Sequence, residues 1–176
     1  PADAVEARAA VEAAINFNGP VYMRFGRLAV PVIYDEASYK LEIGRGIKMA
    51  DGSDVTIIAT GVTVAMALEA RATLAAEGID AAVVNIHTIK PLDRELVIAE
   101  ARKTGAIVTA EEHNIIGGLG EAVCAATAEA YPVPVLRVGV EDRFGRSGKV
   151  PPLLEMYGIT PANIAAKARE AVKLKK

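Results

Sequence analysis

Asp54-Val55-Thr56-Ile57-Ile58-Ala59-Thr60-Gly61 is the stretch that decides the fold. Residues 55–59 are apolar or β-branched almost without a break, which is the composition of a strand covered on both faces. Thr60-Gly61 turns the chain. The alanine-rich stretch behind it places Ala65, Leu68, Ala72 and Ala75 at i, i+3, i+7 and i+10, the repeat of one helix face. Gly78 ends that helix, because glycine tolerates the left-handed conformation of a helix terminus.

Downstream the unit repeats. Residues 81–86, 106–110 and 133–140 read as three further strands, rich in valine and isoleucine. Pro91-Leu92-Asp93 introduces a helix with Asp93 as N-cap, and Gly105 stops it. Gly117-Gly118-Leu119-Gly120 opens another, to about Tyr131. Thr160-Pro161 is a cap followed by proline at the first helical position, and Ile164, Ala168 and Val172 form the face of the last helix. Connections of this length favour parallel neighbours joined by right-handed crossovers. The expected fold is α/β: a three-layer α/β/α arrangement with a mostly parallel sheet of about five strands.

Upstream the texture differs. Val5, Ala9, Ala13 and Ile15 fall toward one side of a helix, with Glu6, Arg8 and Glu12 on the other. Asn18-Gly19-Pro20 stops it, and residues 21–25 read as a strand. One helix and one strand cannot bury their own apolar faces, so they must lean on the rest of this chain or on sequence that precedes it. The chain begins with Pro1-Ala2-Asp3, a helix start without methionine, as expected of a boundary that falls inside a larger protein. In residues 28–53, Pro31, Gly44, Gly46 and Asp51-Gly52 punctuate short extended pieces, and residues 40–43 alternate as an edge strand would. This region reads as a linker that becomes the lead-in strand of the next domain.

Composition narrows the function classes. Of 176 residues, 52 % are hydrophobic, enough for a full core, and the formal net charge of −2 leaves no basic footprint for nucleic acid. Lys173, Lys175 and Lys176 read as the polar end of the last helix. No run approaches the roughly 18 apolar residues of a membrane span, and no signal peptide is visible. Cys124 stands alone in an apolar run, so no internal disulfide forms. It reads as a small buried hydrophobe rather than a nucleophile, and the usage suits a reducing cytoplasm.

Candidate chemistry gathers at predicted loop edges. The Gly117–Gly120 turn follows a strand and opens a helix, whose amides can hold an anion; Gly118 and Gly120 are the residues named for it. It lacks both the dinucleotide and the P-loop spacing, and close helix–strand packing is the plainer explanation. Glu111-Glu112-His113 lies at the carboxyl end of the third strand, where open α/β sheets tend to bind ligands. Adjacent carboxylates could tune His113 for proton transfer; equally, Glu111 caps or pairs while His113 packs at an interface. His87 ends the second strand and reads as a structural donor; two isolated histidines make no metal site. Arg24, Arg27, Arg143 and Arg146 are the cations near loops, and Arg27 after Gly26 suits bidentate contact with a phosphate or a surface ion pair. Residues 142–148 form a polar loop that binds a ligand or simply turns. None of this assembles a nucleophile, base and orienting group, and no catalytic residue is assigned.

Four blocks carry a resemblance: residues 54–61 with the following helix, Val84-Asn85-Ile86-His87-Thr88-Ile89-Lys90-Pro91-Leu92-Asp93, Val108-Thr109-Ala110-Glu111-Glu112-His113 with Gly117–Gly120, and residues 137–148. In this order, and over essentially the whole chain, they resemble the C-terminal part of transketolase, in wording closest to the C-terminal subunits of bacterial and archaeal enzymes split over two chains. Deoxyxylulose-phosphate synthase and the beta subunits of 2-oxoacid dehydrogenases are similar relatives. The resemblance implies that residues 1–35 are the tail of the pyrimidine-binding domain, 36–52 a linker with a lead-in strand, and 53–176 the transketolase C-terminal domain. It implies a thiamine-diphosphate enzyme that moves two-carbon ketol units between sugar phosphates. One domain would hold the metal and diphosphate with a Gly-Asp-Gly motif and a downstream Asn, and the other would supply the glutamate that activates the aminopyrimidine. The sequence contains no Gly-Asp-Gly and only the tail of the other domain, so cofactor, metal and catalytic residues are expected upstream or in an N-terminal partner subunit, and this chain alone is expected to be inactive. Arg27, with Arg24 in reserve, matches the family arginine that binds the substrate phosphate, although Gly26 departs from the usual Ser or Pro. Glu111, His113 and the glycine turn would then serve an interface in a homo-oligomer, a dimer in the first instance. The alternatives are a 2-oxoacid dehydrogenase beta-subunit fragment, a deoxyxylulose-phosphate synthase fragment, and a free-standing anion-binding module.

Overall fold

The computed structural model describes residues 1–27 and 29–175; Leu28 and Lys176 lie outside the described residues. The elements run α1 (Ala4–Asn16), β1 (Ile47–Ala50), β2 (Val55–Ala59), α2 (Thr63–Ala76), β3 (Ala81–Asn85), α3 (Arg94–Thr104), β4 (Ile107–Asn114), α4 (Leu119–Ala130), β5 (Val135–Val140), α5 (Val150–Met156) and α6 (Pro161–Lys173). The five strands are ordered β1-β3-β2-β4-β5. β2, β3, β4 and β5 run parallel, and β1 closes one edge antiparallel to β3. The mostly parallel sheet with helices on both faces is the architecture the sequence predicts.

Strand alternation divides the core. In β2, Val55, Ile57 and Ala59 point into one layer with Val64, Ala67, Ala70 and Leu74 of α2 and Ile164, Ala165, Ala168 and Ala171 of α6. Ile58 points into the other layer, with Val97 and Ala101 of α3 and Leu119, Val123 and Ala126 of α4. Every residue of β2 and β3 is buried, as a strand between two helical layers requires. Each such valine or isoleucine contributes about 1.5–3 kcal/mol by leaving water. The helix ends match their sequence signals. Asp93 accepts from the Leu96 N–H, Gly105 takes φ +70°, and Thr160 accepts from the Asn163 N–H.

Four expectations are corrected. The buried face of α2 is Val64, Ala67, Ala70 and Leu74 rather than Ala65, Leu68, Ala72 and Ala75, because alanine on every side of this helix blurs its face. Residues 21–25 form no strand, since no neighbouring strand receives their N–H and C=O groups. The edge strand is Ile47–Ala50, not residues 40–43: Gly44 turns at φ +85° and the Gly46 N–H is tied to Asp93 Oδ2 at 2.9 Å, so pairing starts later. In α1 the polarity is inverted. Glu6 is fully buried while Ile15 is 78 % exposed, because only the first turn of the helix meets the sheet. A short helix, α5, also forms at Val150-Pro151-Pro152, where proline suits the first turn.

Candidate functional site at the carboxyl edge of the sheet

The parallel strands β2, β3 and β4 end on one side of the sheet, and the predicted site residues lie along that edge. Glu111 is the last fully buried residue of β4. Its carboxylate accepts from the Leu119 N–H (Oε2) and the Gly120 N–H (Oε1), both at 2.8 Å. Two amides at a helix start facing one carboxylate is the arrangement that holds anions elsewhere; here the anion comes from the chain itself. The glycines make this possible. A Cβ on Gly118 would stand 2.0 Å from Glu111 Oε2, and one on Gly120 would stand 2.7 Å from Arg137 Cδ and 2.9 Å from Thr109 Oγ1.

His113 lies on the outer side, exposed, its Nδ1 2.9 Å from the Asn114 carbonyl, and it makes no hydrogen bond to Glu111 or Glu112. The proton-transfer unit that the Glu-Glu-His run suggests is therefore not assembled. Arg24 and Arg27 are exposed and, among the described residues, enter no ion pair. Their segment passes over the end of β4: a Cβ on Gly26 would stand 4.0 Å from Glu112 Oε2. In the loop at residues 142–148, Asp142 takes φ +46° and accepts from Asn114 Nδ2 at 3.3 Å. Arg143 pairs with Glu141 at 3.1 Å, and Phe144 is 98 % exposed. Cys124 is half-buried, and burial pushes its thiol above the ordinary range, with Arg137 opposing the shift. No group of His, Cys, Asp and Glu among the described residues is arranged to hold a metal. Among the described residues, no helix is long and apolar enough to cross a membrane.

A polar cluster that the sequence did not single out sits at the ends of β3 and α1. Asp3 Oδ1 caps α1 through the Glu6 N–H at 2.8 Å, and its Oδ2 accepts from the Ile33 and Tyr34 N–H groups at 2.8 and 3.0 Å. Glu6 Oε1 accepts from Tyr39 Oη at 2.5 Å and from Asn85 Nδ2 at 2.8 Å, and Glu6 Oε2 accepts from the Ala2 N–H at 2.5 Å. Asn85 Nδ2 also reaches Tyr34 Oη at 2.8 Å. Burial first, then Asn85, Glu6 and Asp3 acting in both directions, holds the Tyr34 phenol well above its usual range. For Tyr39, burial and then the bond to Glu6 do the same, so both phenols remain donors. His87 lies beside the cluster with Nδ1 2.8 Å from Thr88 Oγ1; burial lowers its pKa and Glu6 opposes the shift. The signal for this cluster was Asp3-x-x-Glu6, the spacing of a capping box.

Comparison with known proteins supplies the family. The model of the transketolase C-terminal domain matches residues 44–164. The chain is 43 % identical over 175 residues to the 6-deoxy-6-sulfo-D-fructose transketolase subunit SqwH of Clostridium sp. (strain MSTE9), covering 99 % of this chain and 54 % of that protein. It is 44 % identical over 172 residues to a 1-deoxy-D-xylulose-5-phosphate synthase of Heliobacterium modesticaldum, covering 97 % of this chain and 27 % of that enzyme. A solved structure described as a split gene transketolase, inactive beta4 tetramer, superposes with a TM-score of 0.97 at 49 % identity, covering all of this chain and 57 % of that one. The chain thus spans about half the length of the split transketolase subunits it matches. With the five-stranded α/β/α fold and the match over residues 44–164, the chain belongs to the transketolase C-terminal domain family.

Proposed function

We propose that this chain is the C-terminal portion of a split transketolase, an enzyme that transfers two-carbon ketol units between sugar phosphates. The observation that carries this reading is the near-complete alignment of this chain, at 43 % identity, with about half of a transketolase subunit. The fold supports it from the other side. Val11, Ile15, Phe17, Val21, Tyr22, Phe25 and Val32 are exposed, as expected if preceding sequence covers them. Residues 1–35 then close the pyrimidine-binding domain, 36–52 link, and 53–176 form the accessory C-terminal domain that contributes to subunit contacts.

Thiamine diphosphate and Mg2+ would be held by the preceding sequence and an N-terminal partner subunit. The residues present here do not suit the cofactor: the sequence has no Gly-Asp-Gly, and the amides at the start of α4 already hold Glu111. What this chain would offer the substrate is charge. Arg27, with Arg24 behind it, is a guanidinium without an acidic partner among the described residues, on a segment crossing the carboxyl edge, suited to the phosphate of the sugar. Glu111 and the glycine turn would hold the domain, and the exposed His113 would face a neighbouring subunit in a homo-oligomer. A cytoplasmic enzyme of pentose phosphate metabolism fits this reading.

Deoxyxylulose-phosphate synthase is the second reading, favoured by 44 % identity over nearly the whole chain. The test is to mix the complete subunit with its N-terminal partner subunit, thiamine diphosphate and Mg2+, and to measure ketol transfer and deoxyxylulose-phosphate formation side by side. Ketol transfer on mixing, with none from this chain alone, supports the proposal. Turnover or tight cofactor binding by this chain alone, or synthase activity in its place, overturns it.

A further inference from the structure

The segment that carries Arg24 and Arg27 is held in an unusual way. Among the described residues, positions 17–32 contain no helix or strand, and the backbone bonds of residues 17–19 are local to the end of α1. Among the described residues, positions 20–32 make no such bonds beyond regular elements. The segment leaves α1 at one end. At the other it returns to Ile33 and Tyr34, whose two amides both bind one oxygen of Asp3. The other Asp3 oxygen caps the start of the same helix. A single carboxylate, 3 % exposed, therefore joins the first and last residues of a 30-residue excursion. Glu6 fastens that base to the sheet through Tyr39 and Asn85.

We propose that Asp3 is a positioning residue: by closing residues 4–32 at their base it fixes where Arg27 lies over the carboxyl edge of the sheet, and so tunes recognition of the substrate phosphate. The inference rests on the reading of Arg27 given above. Asp3 touches no substrate. It acts through Ile33 and Tyr34, six and seven residues beyond Arg27, by removing the freedom of the chain between them. The two carboxylate oxygens have separate tasks, one for the helix and one for the returning strand of chain. Asparagine can perform only one of them, because its amide nitrogen would face N–H donors. Asparagine is as good an N-cap as aspartate, so Asp3→Asn keeps α1 and releases Ile33 and Tyr34.

The experiment uses the complete enzyme, with thiamine diphosphate, Mg2+ and the N-terminal partner subunit. Asp3→Asn and Arg27→Ala are compared for KM and kcat on a phosphorylated ketose and on an unphosphorylated ketol donor, and amide hydrogen exchange is followed across residues 20–34. The expected result for Asp3→Asn is a KM for the phosphorylated sugar raised about tenfold or more, with kcat within about twofold and the unphosphorylated donor unaffected. Faster exchange at Ile33, Tyr34 and residues 20–32 should accompany it. Faster exchange with an unchanged KM, while Arg27→Ala raises KM, overturns the positioning role and leaves Arg27 standing. An equal loss of turnover on both donors makes Asp3 a residue of folding only and also overturns the proposal. If Arg27→Ala leaves KM unchanged, the reading of Arg27 fails; exchange then decides, a loosened 20–32 segment supporting Asp3 as its clamp and an unchanged one refuting it.

Discussion

Gly118→Ala should be among the most costly single-methyl changes in the molecule, and its cost should pass through Glu111. The backbone at Gly118, φ −100° and ψ −161°, is open to alanine, so no conformational strain is involved. The new methyl would stand 2.0 Å from Glu111 Oε2 and 2.8 Å from the Asn114 carbonyl. Glu111 must leave the start of α4, and two bonds to a charged acceptor are lost at about 1.5–3 kcal/mol each. Against this, alanine restricts the unfolded chain, which returns about 0.4–1 kcal/mol. A net loss of about 3 kcal/mol is expected, measured by urea unfolding at unchanged slope. Glu111→Ala strands two buried N–H groups at the start of α4 and should cost about 2–3 kcal/mol. The double variant decides the mechanism. Without the carboxylate the methyl meets mainly Asn114, so the two changes should cost about 2 kcal/mol less together than their separate costs predict. Additivity within about 0.5 kcal/mol would refute the claim that the glycine exists to admit Glu111.

Three further outcomes are expected. Gly52→Ala would put a Cβ 2.2 Å from the Ala82 nitrogen and 2.3 Å from the Ala81 carbonyl carbon, so it should destabilise by about 3 kcal/mol or more, read as a lowered urea midpoint. For His87, burial lowers the folded-state pKa below 6.5, so its contribution is complete above that pH and is lost as pH falls and the unfolded chain takes up the proton. The drop in Tm between pH 7.5 and 5.5 should therefore be smaller in His87→Gln than in the parent, and an equal drop would show that another group governs the acid limb. Cys124, with its thiol pushed up by burial, should react with a thiol reagent at neutral pH about tenfold slower than in urea. Equal rates would place the thiol in water.

The sheet was legible because its strands announce themselves. Val55–Ala59 and Ala81–Asn85 are buried throughout, and their β-branched, nearly continuous apolar runs suit a parallel strand between two helical layers. Caps such as Asp93 and Thr160 were legible for a local reason, since their partners lie three residues away. The register of α2 was not, because its alanines carry too little contrast for one face to stand out. The behaviour of residues 1–39 was not legible for a different reason. Val11, Ile15, Phe17, Val21, Tyr22, Phe25 and Val32 are exposed, so hydrophobic spacing gave the wrong face of α1, and Glu6 became buried through partners 33 and 79 residues away. Of the candidate site, the glycine turn and Glu111 could be placed at one strand end from sequence. That they would bind each other required the distance of 2.8 Å from each amide to the carboxylate.

That distance bears on what the domain is for. An open α/β sheet usually binds ligands beyond the carboxyl ends of its strands, where neighbouring connections diverge, and β2 and β4 are such neighbours here. The ends of β2, β3 and β4 each meet another part of the chain. Pro1 lies with its carbonyl 3.7 Å from where a Cβ on Gly61 would stand, after β2, and Ala2 is buried in the same layer as Ala59 and Val64. Glu6 binds Asn85 at the end of β3, and Gly26 lies over Glu112 on β4. The helix start that follows β4 is occupied by Glu111. For a phosphate or nucleotide to enter this crevice, buried carboxylates would have to give up their bonds, at about 1.5–3 kcal/mol for each bond to a charged group. The edge that serves as a binding site in other α/β domains is used here as a joint between the chain's first residues and the ends of β2, β3 and β4; on the proposed reading of Arg27, the charge offered to a substrate lies above that joint, on the exposed segment.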